Sequence, residues 1–211
     1  MQQQGPVTFD YDFDKVLAAL VYFASKPDRV INFDRNKALS LLFLADKAHL
    51  LRYGEPIFGD YYRALPHGVV PQRTLQRLNK MAEGRANGQD IERLTEAFRV
   101  QKVKGHGYPI LIPRIAPDLD ALSELEIQIL DEVVALYGGK SFDELKGLVH
   151  PPAWYKAWAS KPRDSRVAPL SYEDLFEGDS QDVKVARARM IEDFALRRAC
   201  SPHGVRRSTL L

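Results

Sequence analysis

The segment Leu39-Ser-Leu-Leu-Phe-Leu-Ala-Asp46-Lys-Ala-His49-Leu-Leu-Arg-Tyr53-Gly54 decides the fold, because its apolar residues leave no continuous polar stripe on a helix. A helix that is apolar nearly all round lies inside a hydrophobic core. Asn32 or Asp34 can cap the start of this helix, and Gly54 can end it. We therefore predict a buried central helix that runs to about Tyr53.

The composition is that of a single globular domain, with 211 residues, of which 45% are hydrophobic and 27% are charged. The one cysteine, Cys200, excludes a disulfide framework within the chain and a four-cysteine zinc site. No apolar run approaches the roughly 20 residues of a membrane span, and the N-terminus lacks the pattern of a secretory signal. We therefore expect a cytoplasmic protein with no membrane partner, and the net charge of +2 argues against general nucleic-acid binding.

Shorter elements flank the central helix. Apolar spacing predicts a helix near residues 13–26, and Pro71 fits the first position of a third helix, which a short fourth helix follows. Residues 98–104 and 108–114 are rich in strand-forming residues and predict a small β-hairpin around Gly105-His106-Gly107. Capping boxes at Ser123 and Ser141 open two later helices, and a last helix spans about 182–199.

These elements predict a mostly α (α+β) fold, namely a compact helical domain around a central apolar helix with a small β-hairpin. We predict a main domain over residues 9–160. An acidic segment followed by a basic helix would occupy residues 161–199, and a flexible tail residues 200–211.

The common catalytic motifs are absent from the sequence, including phosphate-binding glycine loops, nucleophile elbows and zinc-binding histidine pairs. The five histidines are scattered without metal-ligand spacing. We therefore predict no catalytic residue, no metal site and no cofactor.

Asp46, His49 and Tyr53 form the one distinctive polar group, because they fall in a single sector of the central helix. One interpretation is an acid–base set, since burial and a nearby carboxylate retune a histidine. The other is a structural polar cluster, in which Asp46 and His49 bond each other and the backbone of the following loop. The absence of a candidate nucleophile favours the structural cluster.

Residues 54–70 are rich in glycine and proline and therefore predict a loop, yet this stretch also carries several large apolar residues. These side chains must pack on the domain or on a partner. Tyr61, Tyr62 and Arg63 are typical anchors of a protein interface, as are Trp154 and Trp158 further along. The alternative is a short core strand, since residues 61–65 alternate in the strand pattern.

Charge is uneven near the end of the sequence. Residues 171–182 contain five acids and no base, whereas residues 183–211 contain seven bases and two acids. The basic helix is a solvated face, an internal partner for the acidic segment, or a contact for nucleic acid or an acidic protein. The arginines that would make such a contact are Arg187, Arg189, Arg197 and Arg198.

Three spaced motifs resemble the SocA-like Panacea antitoxin domain, also known as a phage-associated protein family. They are the helix end with Asp46-x-x-His49 and Tyr53-Gly54, the turn Pro56-Ile57-x-Gly59-Asp60, and the turn Leu65-Pro66-x-Gly68-x-Val70-Pro71. Residues 122–154 also resemble the second half of that domain, so the resemblance spans about residues 13–158.

The resemblance implies a type II antitoxin that neutralises a cognate toxin by direct protein contact, without enzymatic activity or a cofactor. Some members deliver the toxin to a protease, so a protease or chaperone is a further expected partner. It also implies that Asp46, His49 and Tyr53 hold the fold and its loop. The residues of the loop motif are Gly54, Gly59, Asp60, Pro66, Gly68 and Pro71. A nucleic-acid-binding regulator and a small hydrolase based on Asp46 and His49 remain the alternatives.

Overall fold

A computed structural model describes residues 6–85, 88–104 and 107–200. The helices are α1 (Phe13–Ala24), α2 (Arg35–Tyr53), α3 (Gln72–Ala82), α4 (Gln89–Ala97), α5 (Glu124–Tyr137), α6 (Phe142–Leu148), α7 (Pro152–Ser160) and α8 (Gln181–Cys200). The strands are β1 (Tyr62–Leu65), β2 (Gly68–Pro71), β3 (Phe98–Gln101), β4 (Ile110–Pro113) and β5 (Ala168–Pro169). The predicted tail from residue 201 onward and the Gly105-His106 part of the hairpin connector lie outside the described residues.

The predicted central helix is confirmed as α2. The Asp34 side chain accepts a hydrogen bond from the Lys37 backbone N–H over 2.8 Å and so caps the helix. Gly54 ends the helix with a φ of 82°, a left-handed conformation that glycine adopts without a side-chain clash. Apolar side chains from every side of α2 are buried in the core, including Leu39, Leu41, Leu42, Phe43 and Leu50.

Helices α1, α3, α5, α6 and α8 pack against α2, and the whole is a mostly helical α+β fold, as predicted. Both predicted capping boxes are present, at the starts of α5 and α6. The predicted hairpin is the antiparallel pair β3–β4, with Phe98 opposite Pro113. Among the described residues, no helix is long and apolar enough to cross a membrane.

A three-stranded antiparallel sheet with the order β2-β1-β5 forms where the sequence predicted either an interface loop or a core strand. The core-strand alternative is confirmed, because Tyr62 and Ala64 of β1 are buried while Arg63 and Leu65 are only partly so. Pro71 is the last residue of β2 and precedes α3, so its predicted position inside the helix is wrong by one residue. The ladder between β1 and β2 extends to Pro71, which pairs with Tyr62.

Residues after 160 contribute to the same core as the residues before them. Strand β5 pairs with β1, and α8 packs on α2. A Cβ atom on Gly54 would lie 2.6 Å from the Ala186 backbone oxygen, so the end of α2 approaches α8 without an intervening side chain. Tyr172, Leu175 and Met190 are buried in this core. The domain boundary near residue 160 stays a prediction.

Candidate functional site

Asp46 holds the first half of the motif loop, which we define as residues 54–71. Its side chain is 1% exposed, and its Oδ1 accepts hydrogen bonds from the backbone N–H groups of Ile57 at 2.7 Å and Phe58 at 2.9 Å. Its Oδ2 accepts a third bond from the Tyr62 hydroxyl at 2.7 Å. Because buried backbone N–H groups need partners, this carboxylate lets the loop fold against the core.

Asp60 holds the second half of the motif loop. Its Oδ1 accepts from the backbone N–H groups of Tyr61 at 2.7 Å and Arg73 at 2.9 Å. Its Oδ2 accepts from the backbone N–H and the hydroxyl of Thr74, at 2.9 and 2.8 Å. Helix α3 begins after Pro71, which has no capping side chain, so Asp60 satisfies the free N–H groups of the first turn in its place.

His49 also bonds the motif loop. Its Nδ1 lies 2.7 Å from the Glu55 backbone oxygen, and since a carbonyl only accepts, Nδ1 carries the proton in this bond. The Tyr53 ring packs beside it, with 4.7 Å between the ring centroids. The expected hydrogen bond between Asp46 and His49 is wrong, because in the described part of the chain each side chain bonds the loop backbone separately.

Burial changes the proton affinity of this cluster. It raises the pKa of Asp46 to about 7, although the bonds from Tyr62, Phe58 and Ile57 oppose that rise. Burial also raises the pKa of Asp60, against the hydrogen bonds from Thr74 and Arg73. The pKa of the Tyr62 hydroxyl is raised well above its ordinary value by burial and by the adjacent Asp46 carboxylate.

The members of the predicted polar cluster differ in their access to solvent. His49 and Tyr53 line part of a cleft of about 610 Å³ between α2, α5 and α8, but Asp46 does not line it. General acid–base catalysis requires that the side chain reach the proton that it transfers. The buried Asp46 carboxylate, with three protein donors on it, does not meet that requirement.

The other loop-motif residues shape the backbone. Gly59 has a φ of 61°, and a Cβ atom on it would lie 2.0 Å from the Asp10 backbone oxygen. The N-terminal segment can therefore cross the motif loop only because residue 59 has no side chain. Pro66 lies in the exposed turn between β1 and β2, and Gly68 begins β2.

Tyr61 and Arg63 are the accessible members of the predicted partner contact. Tyr61 is 42% exposed, and its hydroxyl accepts a hydrogen bond from Arg63 Nη2 over 2.7 Å. The Arg63 guanidinium also lies over the Tyr61 ring, 5.2 Å from its centroid. The two side chains therefore form one ordered pair at the surface of β1.

The prediction of a partner contact is wrong for Tyr62 and Trp154, since both are buried. Strand alternation turns Tyr62 inward to Asp46. Trp154 is buried, and its indole N–H donates a hydrogen bond to the Leu65 backbone oxygen over 2.8 Å. Trp158 stacks on Trp154 at 5.0 Å and is partly accessible, so its role in binding stays a prediction.

A groove of about 540 Å³ adjoins Tyr61, and we call it the aromatic groove. Three segments form it: residues 6–9, residues 59–62 with Arg73, and residues 169–174. Phe9 packs edge-on against Tyr172, with 4.9 Å between the ring centroids. The roles of Phe9, Arg73 and Tyr172 in this groove are not predictable from the sequence, because no local pattern indicates that segments so far apart in the chain meet.

The four arginines of the predicted basic face are all exposed on α8. Only Arg197 approaches a described carboxylate, with 3.6 Å between its Nη2 and Glu55 Oε2. The acidic segment instead pairs with lysines, as in the contact of Lys47 Nζ with Glu177 Oε2 at 3.1 Å. The predicted pairing of these arginines with the acidic segment is therefore wrong.

The fold and the site define a mostly helical α+β protein in which two buried carboxylates fix a loop beside an exposed tyrosine–arginine pair. A family model described as antitoxin SocA-like, Panacea domain, matches residues 39–155, which is more than half of the chain. The chain therefore belongs to this antitoxin family. It matches no curated protein and no solved structure.

Proposed function

We propose that this chain is an antitoxin that neutralises a cognate toxin by binding it directly. The observation that carries the proposal is the bonding of Asp46 and Asp60, the two carboxylates of the family motif. Both are buried and bond the chain itself, so the motif builds a fixed loop. Because the chain belongs to an antitoxin family, we infer that the partner bound beside this loop is a toxin.

A fixed loop favours binding because less conformational entropy is lost when the partner docks. Within the motif loop, Tyr61 directly precedes β1 and Arg63 lies on it, and these two side chains are already held against each other. Tyrosine and arginine are enriched among the residues that dominate interface energies. We therefore place the toxin contact on the side of the molecule that carries this pair.

Co-expression with the product of the adjacent gene tests the proposal. We expect a stable complex in size-exclusion chromatography, and we expect growth to be restored when both proteins are produced. An unrelated helical protein of similar size, expressed at the same level, serves as the control. Absence of a complex together with continued toxicity would contradict the proposal.

We also propose that the protein is not an enzyme, and that the hydrolase alternative based on Asp46 and His49 does not apply. The support is that the Asp46 carboxylate is buried and already accepts three hydrogen bonds. Delivery of the toxin to a protease or chaperone is a separate prediction. Immunoblotting of the toxin distinguishes delivery from simple sequestration. Sequestration leaves the amount of toxin unchanged, whereas delivery to a protease lowers that amount.

Nucleic-acid binding by α8 is the second candidate function. It is favoured by the exposure of Arg187, Arg189 and Arg198, none of which pairs with a described carboxylate. Each phosphate contact contributes about 0.9 to the slope of log affinity against log salt. The candidate therefore predicts duplex binding that falls steeply with salt, and replacement of these arginines by glutamine would flatten the slope. Binding that does not change with salt would contradict it.

A further inference from the structure

We propose that the aromatic groove, together with Arg73 in its wall and Arg63 beside Tyr61, docks an acidic segment of the toxin that carries one large apolar side chain. This inference rests on the proposed antitoxin function and adds the surface and the chemistry of the partner. It depends on three features of the described residues: a preformed apolar groove, two arginines without carboxylate partners, and groove acids whose carboxylates are buried or paired with a lysine.

The groove is preformed by aromatic contacts. Tyr172 packs against Phe9 on one side and against Tyr62 on the other, with 5.7 Å between the centroids of the two tyrosine rings. The Tyr172 hydroxyl donates a hydrogen bond to the Asp60 backbone oxygen. The volume of the aromatic groove, about 540 Å³, lies within the range of natural binding clefts. One large side chain therefore fits the groove without rearrangement of its walls.

Arg63 and Arg73 are held in place by tyrosine rings, but neither guanidinium has a carboxylate partner among the described residues. Arg73 is exposed, and its guanidinium lies 5.5 Å from the centroid of the Tyr11 ring. Arg63 rests on Tyr61, and its buried Nε has no hydrogen-bond partner. Among the described residues, neither guanidinium lies within salt-bridge distance of a carboxylate. A carboxylate from a partner would form charge-assisted hydrogen bonds with the accessible nitrogens of these two guanidinium groups.

The acids that line the groove do not cancel this charge. The Asp60 carboxylate is occupied by the backbone N–H groups of Arg73 and Thr74. The Asp174 carboxylate is paired with Lys156 and also accepts a bond from the Ser171 hydroxyl. Asp60 is fully buried, and Glu173 accepts a hydrogen bond from the Val7 N–H while its other carboxylate oxygen is buried. Among the described residues, the accessible charges beside the groove that lack an ion-pair partner are therefore the two guanidinium groups, which favours an acidic partner segment over a basic one.

Affinity measurements on the purified complex with the adjacent gene product test the inference. The first variant, R63Q/R73Q, removes both positive charges. The second, Thr8→Trp, places a bulky side chain on an exposed residue that lines the groove. The matched control, R99Q/R114Q, makes the same charge change at two exposed arginines of the hairpin segment. Circular dichroism melting curves establish that each variant is folded.

We expect each groove variant to raise the dissociation constant at least tenfold and the control to change it less than twofold. Unchanged affinity in both groove variants would overturn this inference and leave the antitoxin proposal intact. Equal weakening by R63Q/R73Q and the control would show general charge attraction and would also overturn it. A wild-type chain that neither binds the adjacent product nor restores growth overturns both proposals.

A photo-crosslinking amino acid at position 61 identifies the segment that docks. We expect the crosslinked toxin peptide to contain a large apolar residue within a few positions of an aspartate or glutamate. A basic toxin peptide, or a peptide from a second copy of this chain, would overturn the inference.

Discussion

Tyr62 donates its hydroxyl to Asp46 Oδ2 over 2.7 Å, and this bond joins strand β1 to the central helix α2. The same carboxylate receives two backbone N–H groups from the loop between these elements. One buried side chain thus fixes both the path of the motif loop and the side of β1 that faces solvent. Tyr61 and Arg63 are accessible because Tyr62 is held inward.

Replacement of Asp46 by alanine is expected to destabilise the fold by about 3 kcal/mol or more, since it leaves two buried N–H groups and one hydroxyl unpaired. The free energy of unfolding, measured with urea, checks this value. Tyr62→Phe is the matched control, because it removes only the hydroxyl and is expected to cost about 1 kcal/mol. A loss below about 0.5 kcal/mol for Asp46→Ala would show that this carboxylate does not hold the loop.

Stability should depend on pH through Asp46. Burial raises its pKa from 3.8 to about 7, so the folded state binds the proton more tightly than the unfolded state. The resulting stabilisation is fully present below pH 3.8 and is lost as the pH rises through 7. Asp46→Asn removes this titration. We expect the free energy of unfolding of the wild type, relative to that of this variant, to fall by a few kcal/mol between about pH 4.5 and about pH 8. Parallel stability curves would indicate an unshifted carboxyl.

Asp60→Ala is expected to loosen the start of α3 and to cost about 1–2 kcal/mol, as loss of a helix cap does. Hydrogen exchange should become faster at the Arg73 and Thr74 amides, which lose their acceptor. The control is Ser123→Ala, which removes the N-cap of α5. This variant should speed hydrogen exchange in the first turn of α5 and leave the Arg73 and Thr74 amides protected. If the Arg73 and Thr74 amides keep their protection in Asp60→Ala, the capping role is wrong.

Gly59→Ala should destabilise the protein by about 2 kcal/mol or more, because φ is positive and the new Cβ would meet the Asp10 backbone oxygen at 2.0 Å. Gly139→Ala is the control, since no atom lies within 4 Å of the Cβ position there. Thermal unfolding compares the two variants. Similar melting temperatures for both would mean that the N-terminal segment does not cross the motif loop closely.

The sequence predicted the elements whose determinants are local. The apolar circumference of α2 and the capping boxes at Ser123 and Ser141 depend on residues within a few positions of each other, and all are confirmed. The hairpin β3–β4 was predictable for the same reason.

Long-range partners were not predictable in this way. Asp60 caps a helix that starts 12 residues later, and Tyr172 completes a groove with Phe9 from the other end of the chain. The sequence allows either an interface or a core strand for Tyr62, and it favours an interface for Trp154. Aromatic residues serve interfaces and cores equally well, so only the tertiary contacts decide between them.

The central claim is that this protein acts by capture and not by turnover. The most direct test titrates the purified protein into a fixed amount of the purified adjacent gene product and follows residual toxin activity. The claim predicts a linear fall to zero at a fixed molar ratio that does not change with incubation time. Complete loss of toxin activity at substoichiometric amounts, progressing with time, would contradict it.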